Sequence, residues 1–408
     1  MTTIAVVGAG QAAQSLIETL RVDGFDGRIA LFGAEPVAPY QRPPLSKKYL
    51  LGEMSRERLA FRPEPFYVEQ RIETRWGATV ARIDRAAKRL ALSDGETVAF
   101  DKLAITTGAR PRRLPAEIGG ALPGVHTIRD LADIDAVAPA MTEGRRLLVV
   151  GGGYIGLEAA AVAARLGLSV VLLEAASRIL ARVAAPETAD YFTALHRGEG
   201  VEIRTDARLE ALTPGPEGRV AAARLADGET IPCDLVLVGI GVQPNAELAA
   251  EAGLEVLAGP PGGIRVDAAA RTSDPDIVAA GDVAAFPFRG APTRLESVQN
   301  AIDQGAVAAR ALLDQPQDYA PVPWFWSDQY DVKLQIAGLN TGYDRVILRP
   351  GDRPGSQSVW YFEGDALRAV DAMNDPRAYM TAKRGLEAGR NPDPDRVSDP
   401  ATPLKELM

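Results

Sequence analysis

Short runs of apolar, β-branched residues recur along the chain, and several of them close on clusters of small residues. The first is Ile4-Ala5-Val6-Val7, which runs into Gly8-Ala9-Gly10-Gln11-Ala12-Ala13. A stretch of helical spacing follows from Gln14 to Arg21, and a second apolar run, Arg28 to Gly33, ends near Glu35. The pattern predicts strand, glycine turn, helix, strand and then an acid, which is the grammar of a dinucleotide-binding βαβ unit. Gly8 permits the tight turn, Gly10 lets backbone N–H groups approach a pyrophosphate, and Ala13 keeps helix and strand close. The helix N-terminus adds partial positive charge for the phosphates. Glu35, 22 positions beyond Ala13, falls where a carboxylate meets a ribose hydroxyl.

The same grammar returns once. Arg146-Leu147-Leu148-Val149-Val150 leads into Gly151-Gly152-Gly153-Tyr154-Ile155-Gly156. An alanine-rich helix is predicted over Leu157 to Leu166, then a strand over Ser169 to Leu173 that ends at Glu174. Two such units imply two dinucleotides, one handing electrons to the other. The fold class is therefore α/β, with two Rossmann-like domains and a further C-terminal α/β domain.

Between and after the two units the pattern is less regular. Residues 75–92 read as short strands around a charged turn, and Asp94-Gly95-Glu96 turns a hairpin. Lys102 to Ala109 reads as a buried strand ending in the small-residue turn Thr107-Gly108-Ala109. Residues 111–124, rich in proline and glycine, suit a linker. Residues 201–231 read as a three-stranded β excursion, and 233–245 as a strand with a glycine turn that includes Gly241. Ile277 to Ala280 is a strand, after which Gly281-Asp282 should open a helix or loop. An amphipathic helix is expected over 298–313, and 388–403 should be extended surface tail. In the loop Pro39 to Leu50, Ser46 is placed to cap a short helix; the loop is either a rigid basic segment reaching the reactive ring of the first nucleotide or a surface loop with solvated lysines.

Composition narrows the function classes. At 408 residues the chain needs two or three cores. Its net charge of −9 gives no overall attraction for nucleic acid or an anionic membrane. No apolar stretch approaches the length of a membrane span, and no secretory leader is visible at the N-terminus. Cys233 is the single cysteine, so no internal disulfide exists and a cytoplasmic setting is natural. His126 and His196 are the only histidines, and neither has a metal-ligand neighbour at useful spacing, so no metal site is expected.

Taken together, these motifs resemble the flavoprotein reductases of the glutathione-reductase structural class, and more closely the oxygenase-coupled, NADH-dependent ferredoxin reductases. The specific stretches are Arg42-Pro43-Pro44-Leu45-Ser46-Lys47 and Pro323-Trp324-Phe325-Trp326-Ser327-Asp328-Gln329, supported by Glu296 to Ala301 and Ala280-Gly281-Asp282. The resemblance covers essentially the whole chain. It implies an FAD domain built from 1–112 and 244–321, an NAD domain over 113–243 and a C-terminal domain over 322–408. FAD would have Glu35 at the adenosine ribose and Asp282 at the ribityl chain, with Arg42, Lys47 and Arg129 lining the flavin or its phosphates. Lys47 and Glu158 match a lysine near flavin N5 and the glutamate that holds it; a cation there stabilises reduced, anionic flavin. The resemblance adds Thr107, Gly108, Val298, Trp326, Gly151, Gly153, Tyr154, Ile155, Gly156, Arg182 and Gly241 to the cofactor-binding residues. The aromatic cluster at 324–326 is either core or the cover of a flavin face. Glu174 accepts hydrogen bonds from ribose hydroxyls and repels a 2′-phosphate, which argues for NADH.

The missing residues direct the electrons. Disulfide reductases of this class need a cysteine pair beside the flavin, and Cys233 reads as an inert core residue. A hydride from NADH would leave as single electrons to an external acceptor, and the resemblance implies that this acceptor is a [2Fe–2S] ferredoxin serving a monooxygenase or ring dioxygenase. Arg289, Arg294, Arg310, Lys333, Lys383 and Arg384 are candidate docking cations for that acidic partner. Two other readings stay open: an NADH oxidase or rubredoxin reductase, and an NADH-sensing flavoprotein of the apoptosis-inducing-factor type.

Overall fold

The computed structural model describes residues 1–408. The chain divides into two compact bodies: residues 1–41, 56–110 and 242–321 form the first, and 42–55, 111–241 and 322–408 the second.

In the first body, five parallel strands stand in the order Ile277–Ala279, Lys102–Ile105, Thr3–Val7, Arg28–Gly33, Ile72–Trp76. Ile4, Ala5 and Val6 are fully buried, as the near-continuous apolar run of a central parallel strand requires. The central strand Thr3–Val7 has later strands on either side, so the strand order reverses at its carboxyl end. That is where an open α/β sheet offers a ligand crevice. The helix Gln11–Val22 starts one turn before the predicted Gln14. It buries Leu16, Ile17 and Leu20 completely, each contributing about 1.5–3 kcal/mol of burial. Val298–Leu312 packs beside it, and Ser15 Oγ donates to Ile302 O at 2.6 Å across the contact.

The second body repeats the plan. Its parallel strands run Glu202–Arg204, Ser169–Leu173, Arg146–Val150, Leu235–Val238, Val125–His126, with the helix Tyr154–Arg165 after the glycine turn. An antiparallel sheet of Trp324–Gln329, Val332–Gly338, Ala366–Met373, Gln357–Glu363 and Arg345–Pro350 completes this body. Its core is Trp360, Phe362, Val370 and Ala372 under the helix Pro376–Glu387.

Three expectations change and one open choice is settled. The three-stranded excursion is Leu209–Pro214, Val220–Leu225 and Thr230–Pro232; Glu202–Arg204 instead joins the parallel sheet, because Ile203 is buried beside Leu172. Gly281-Asp282 opens a turn, the loop of the two alternatives, which leads into the strand Ala284–Phe288. Ser46 does not cap a following helix: it closes the 3-10 turn Pro43–Ser46, and its hydroxyl goes elsewhere. The tail is not free either. Pro394–Ser398 is a short helix with Val397 fully buried. The buried Arg349 guanidinium donates to the carbonyls of Val397, Asp399, Pro400 and Thr402.

Candidate functional site

Each body presents a nucleotide turn of the same construction. In the first, Gly8 has φ +104°, and a Cβ there would lie 2.4 Å from Thr106 O. Only glycine fits. The Gly8 N–H donates to Phe32 O at 2.9 Å, and Thr106 Oγ1 donates to Gly8 O at 2.8 Å. Gly10, the N-cap of the helix, supplies no side-chain cap and has open space before it. The first helical N–H groups are thus left for an anion. Ala13 is fully buried behind them.

A cleft of about 380 Å³ begins at this turn, with Gly8, Phe32, Ala34, Val80, Ala81 and Thr107 among its lining residues. Thr107 and Gly108 are fixed by Asn245: Thr107 Oγ1 donates to Asn245 O, Asn245 Nδ2 donates to Thr107 O, and Asn245 N donates to Gly108 O. Glu35 accepts from Tyr40 Oη at 2.5 Å. Asp282 follows the end of the strand Ile277–Ala279, and its carbonyl accepts from Arg294 Nη1 at 3.0 Å. Val298 opens a helix whose N-cap, Ser297, accepts from Asn300 N. The N–H donors of an uncapped helix start, an apolar cleft and flanking carboxylate acceptors fit, in turn, the pyrophosphate, adenine and ribose of FAD.

In the second body, Gly151 has φ +107° and its Cβ would meet Gly239 O at 2.5 Å. Gly153 is again an uncapped N-cap with open space, and Gly156 is buried in the first turn behind it. Glu174 Oε2 accepts from Gly152 N at 2.8 Å and Oε1 from Ala176 N at 2.8 Å. The acid is therefore already seated on the glycine turn where a ribose would arrive. Ile155 and Gly241 are exposed beside that turn, and Arg182 stands exposed in the segment after Glu174. The Tyr154 ring lies 4.9 Å from Phe325, tilted 40°, with its hydroxyl buried and unpartnered. These features fit NAD.

Lys47 and Glu158, 111 positions apart in sequence, meet in the second body. Lys47 Nζ is 2.8 Å from Glu158 Oε2. Glu158 is only 2% exposed, so it is not the surface acid that its place in a first helical turn suggests. Its charge is compensated three ways: by Lys47, by Ser46 Oγ at 2.6 Å on Oε2, and by Ser327 Oγ at 2.7 Å on Oε1. Such charge-assisted donors are what a buried carboxylate requires. Lys47 keeps 16% of its side chain exposed, and its Nζ also donates to Pro43 O at 3.3 Å.

Of the remaining expected residues, Arg42 Nη1 donates to Arg129 O at 2.8 Å. Trp326 is half-buried, stacked at a tilt 5.8 Å from Trp324. Cys233 is buried at 1% exposure, and burial pushes its thiol up to about 11. Among the candidate docking cations, Arg310 pairs with Asp23 at 3.1 Å and Arg294 with Glu296 at 2.7 Å. Lys383 is bound to Glu387, and Lys333 lies 3.8 Å from Asp328.

Ser46, Ser327 and Gln329 went unnoticed as site residues. A signal existed: alternation along Trp324–Gln329 puts Phe325, Ser327 and Gln329 on one face, so two polar side chains share a buried side. Both are fully buried.

Comparison with known proteins agrees with this geometry. The pyridine nucleotide-disulphide oxidoreductase family matches residues 2–305, and the reductase C-terminal family matches 324–408. A ferredoxin–NAD(P)(+) reductase of a Sphingomonas species is 42% identical over 99% of this chain and 97% of its own. Putidaredoxin reductase of Pseudomonas putida is 39% identical over 99% and 96%. In the covalent putidaredoxin reductase–putidaredoxin complex, one chain superimposes with a TM-score of 0.95 at 38% identity, covering 100% of this chain and 98% of that one. The chain belongs to the pyridine nucleotide-disulphide oxidoreductase family of oxidoreductases and contains its reductase C-terminal domain.

Proposed function

We propose that this protein is an NADH-dependent ferredoxin reductase, delivering electrons singly to a [2Fe–2S] ferredoxin that serves a monooxygenase or ring dioxygenase. The observation that carries the reading is the ion pair of Lys47 with the buried Glu158 in a chain whose one cysteine is locked in the core. A cation is prepared for reduced flavin, and no thiol is available to take the electrons onward. The relatives named above as reductases of ferredoxin and putidaredoxin support the partner class.

The residues divide the work. Segments 1–112 and 244–321 hold FAD, with Gly8, Gly10 and Ala13 at the pyrophosphate, Glu35 at the ribose and Asp282 at the ribityl chain. Thr107, Gly108 and Val298 present backbone to the same cofactor. Segment 113–243 holds NADH: the N–H groups after Gly153 face its pyrophosphate and Glu174 receives the adenosine ribose hydroxyls. Gly151, Tyr154, Ile155, Gly156, Arg182 and Gly241 shape that site. Segment 322–408 contributes Trp326. When bound, FAD accepts a two-electron hydride and releases the electrons one at a time. Lys47 supplies the cation for the reduced ring, Glu158 fixes it, and Arg42 and Arg129 add positive charge. No helix is long and apolar enough to cross a membrane, and the cytoplasm is the proposed setting.

Anaerobic stopped-flow tests the reading. The expected result is fast bleaching of the flavin by NADH, much slower bleaching by NADPH, and rapid reoxidation by a [2Fe–2S] ferredoxin. Reoxidation by oxygen or rubredoxin alone would replace the partner. A long-lived charge-transfer complex indifferent to every acceptor would replace catalysis with sensing.

A further inference from the structure

Behind Glu158 a line of buried polar groups continues away from Lys47. Ser327 Oγ is 2.7 Å from Glu158 Oε1, Gln329 Nε2 is 3.2 Å from Ser327 Oγ, and Gln329 Oε1 is 2.8 Å from His196 Nε2. Tyr330 Oη then lies 3.2 Å from His196 Nδ1. Ser327, Gln329 and His196 are all fully buried. Nothing in the proposed electron transfer uses the last three groups.

The direction of every hydrogen bond in this line follows from its first member. An ionised carboxylate only accepts, so Ser327 must spend its single proton on Glu158. Its oxygen then accepts from the Gln329 amide N–H. That turns the Gln329 carbonyl toward His196, which must carry its proton on Nε2. The imidazole Nδ1 is left as an acceptor, and Tyr330 donates to it. Burial lowers the His196 pKa, so the ring stays neutral. Each donor polarises the next in a low-dielectric interior, and the whole line delivers its strength to one oxygen.

We propose that His196, through Gln329 and Ser327, is a positioning residue for the Lys47–Glu158 pair: a one-way donor chain that occupies Glu158 Oε1 and leaves Oε2 to hold the Lys47 ammonium. The inference rests on the reading of that pair as the working cation and its holder. Tyr330 anchors the far end. It occupies the tight turn between Trp324–Gln329 and Val332–Gly338 at φ +55°, a left-handed conformation that costs a non-glycine residue energy. Its hydroxyl bond to His196 offsets that cost.

The test uses the FAD-loaded protein labelled with ¹⁵N-histidine. With two histidines in the chain, His126→Gln assigns the spectrum. The expected result is neutral His196 in the Nε2–H form. In Glu158→Gln and Ser327→Ala, where nothing enforces the direction, the two tautomers should mix and the two nitrogen shifts converge. In kinetics, His196→Leu should lower the limiting rate of flavin reduction by NADH about three- to tenfold. Half-saturation by NADH should stay within about twofold, because the chain does not touch the nucleotide. His196→Gln, which keeps an N–H for Gln329, should recover most of the rate.

An Nδ1–H tautomer in the wild-type protein, or His196 resonances unmoved by Glu158→Gln and Ser327→Ala, overturns the proposal. Lys47→Met separates the two layers of the argument. If it leaves flavin reduction at the wild-type rate, the pair itself has been misread. If it slows reduction while His196→Leu does not, the donor chain alone is refuted.

Discussion

Asp371 couples the stability of the second body to pH. It is fully buried on the strand Ala366–Met373. One oxygen, Oδ2, accepts from Tyr361 Oη at 2.5 Å and Thr188 Oγ1 at 2.8 Å, while Oδ1 has no partner. Desolvation outweighs the two donors and pushes its pKa from 3.8 up to about 6. The sign is that of an acid whose folded form prefers the proton. Between about pH 4 and pH 6 the folded state binds more protons than the unfolded chain. Stability therefore falls as pH rises through that window and is level above it. A two-unit shift is worth about 3 kcal/mol, and complete burial means that solvent screening does not reduce it. Asp371→Asn abolishes the titration, at a constant offset of about 1–3 kcal/mol for its buried amide N–H. Urea unfolding followed by tryptophan fluorescence is the assay, since Trp324, Trp326 and Trp360 all lie in the C-terminal segment. The stability of Asp371→Asn minus that of wild type should grow by roughly 2.5 kcal/mol from pH 4 to pH 7. A difference that stays constant, or shrinks, would refute the assignment.

Other outcomes follow from the same coordinates. Gly8→Ala drives a methyl into the Thr106 carbonyl, so the purified protein should lose its FAD, read as the ratio of flavin to protein absorbance. Arg349→Met removes the donor shared by four tail carbonyls and should cost about 1–3 kcal/mol, with proteolysis after residue 390 as the early sign. Glu174→Ala removes both the ribose acceptor and the repulsion of a 2′-phosphate; the NADH-over-NADPH ratio of kcat/KM should fall by at least about tenfold.

What was legible in the sequence was whatever local spacing enforces. Gly8 and Gly151 had to be glycines because each backbone passes within van der Waals contact of a strand end, and both stand inside a readable βαβ pattern. Glu158 was legible only through resemblance, since an acid in a first helical turn is ordinary on dipole grounds. Its burial depends on Ser46 and Ser327, which come from segments far away in sequence. No periodicity couples residues 46, 158 and 327; only the tertiary fold does. The tail misled for a similar reason. Pro, Asp and Arg within 388–403 read as solvated, yet Val397 is the apolar residue that docks, and the guanidinium holding the backbone belongs to Arg349. Glu202–Arg204 was too short to separate from the antiparallel strands that follow it.

The order of strands in the first body also sets a timetable for synthesis. Lys102–Ile105 pairs on one side with Thr3–Val7 and on the other with Ile277–Ala279. Between those partners the ribosome must make about 170 residues, which takes roughly 10–35 s at cellular elongation rates. Throughout that interval one edge of a parallel sheet stands unpaired, a template for unwanted strand addition. The inserted segment 111–241 holds a complete five-stranded parallel sheet and can close first. The helix that follows the Gly8 turn gains its last neighbours, Gly281 at Ala12 and the helix Val298–Leu312 at Ala12 and Ser15, only after the chain has passed residue 312. Flavin capture is therefore a late event in the life of the nascent chain, and a supply of free FAD should rescue yield most strongly for variants that loosen Ile277–Ala279.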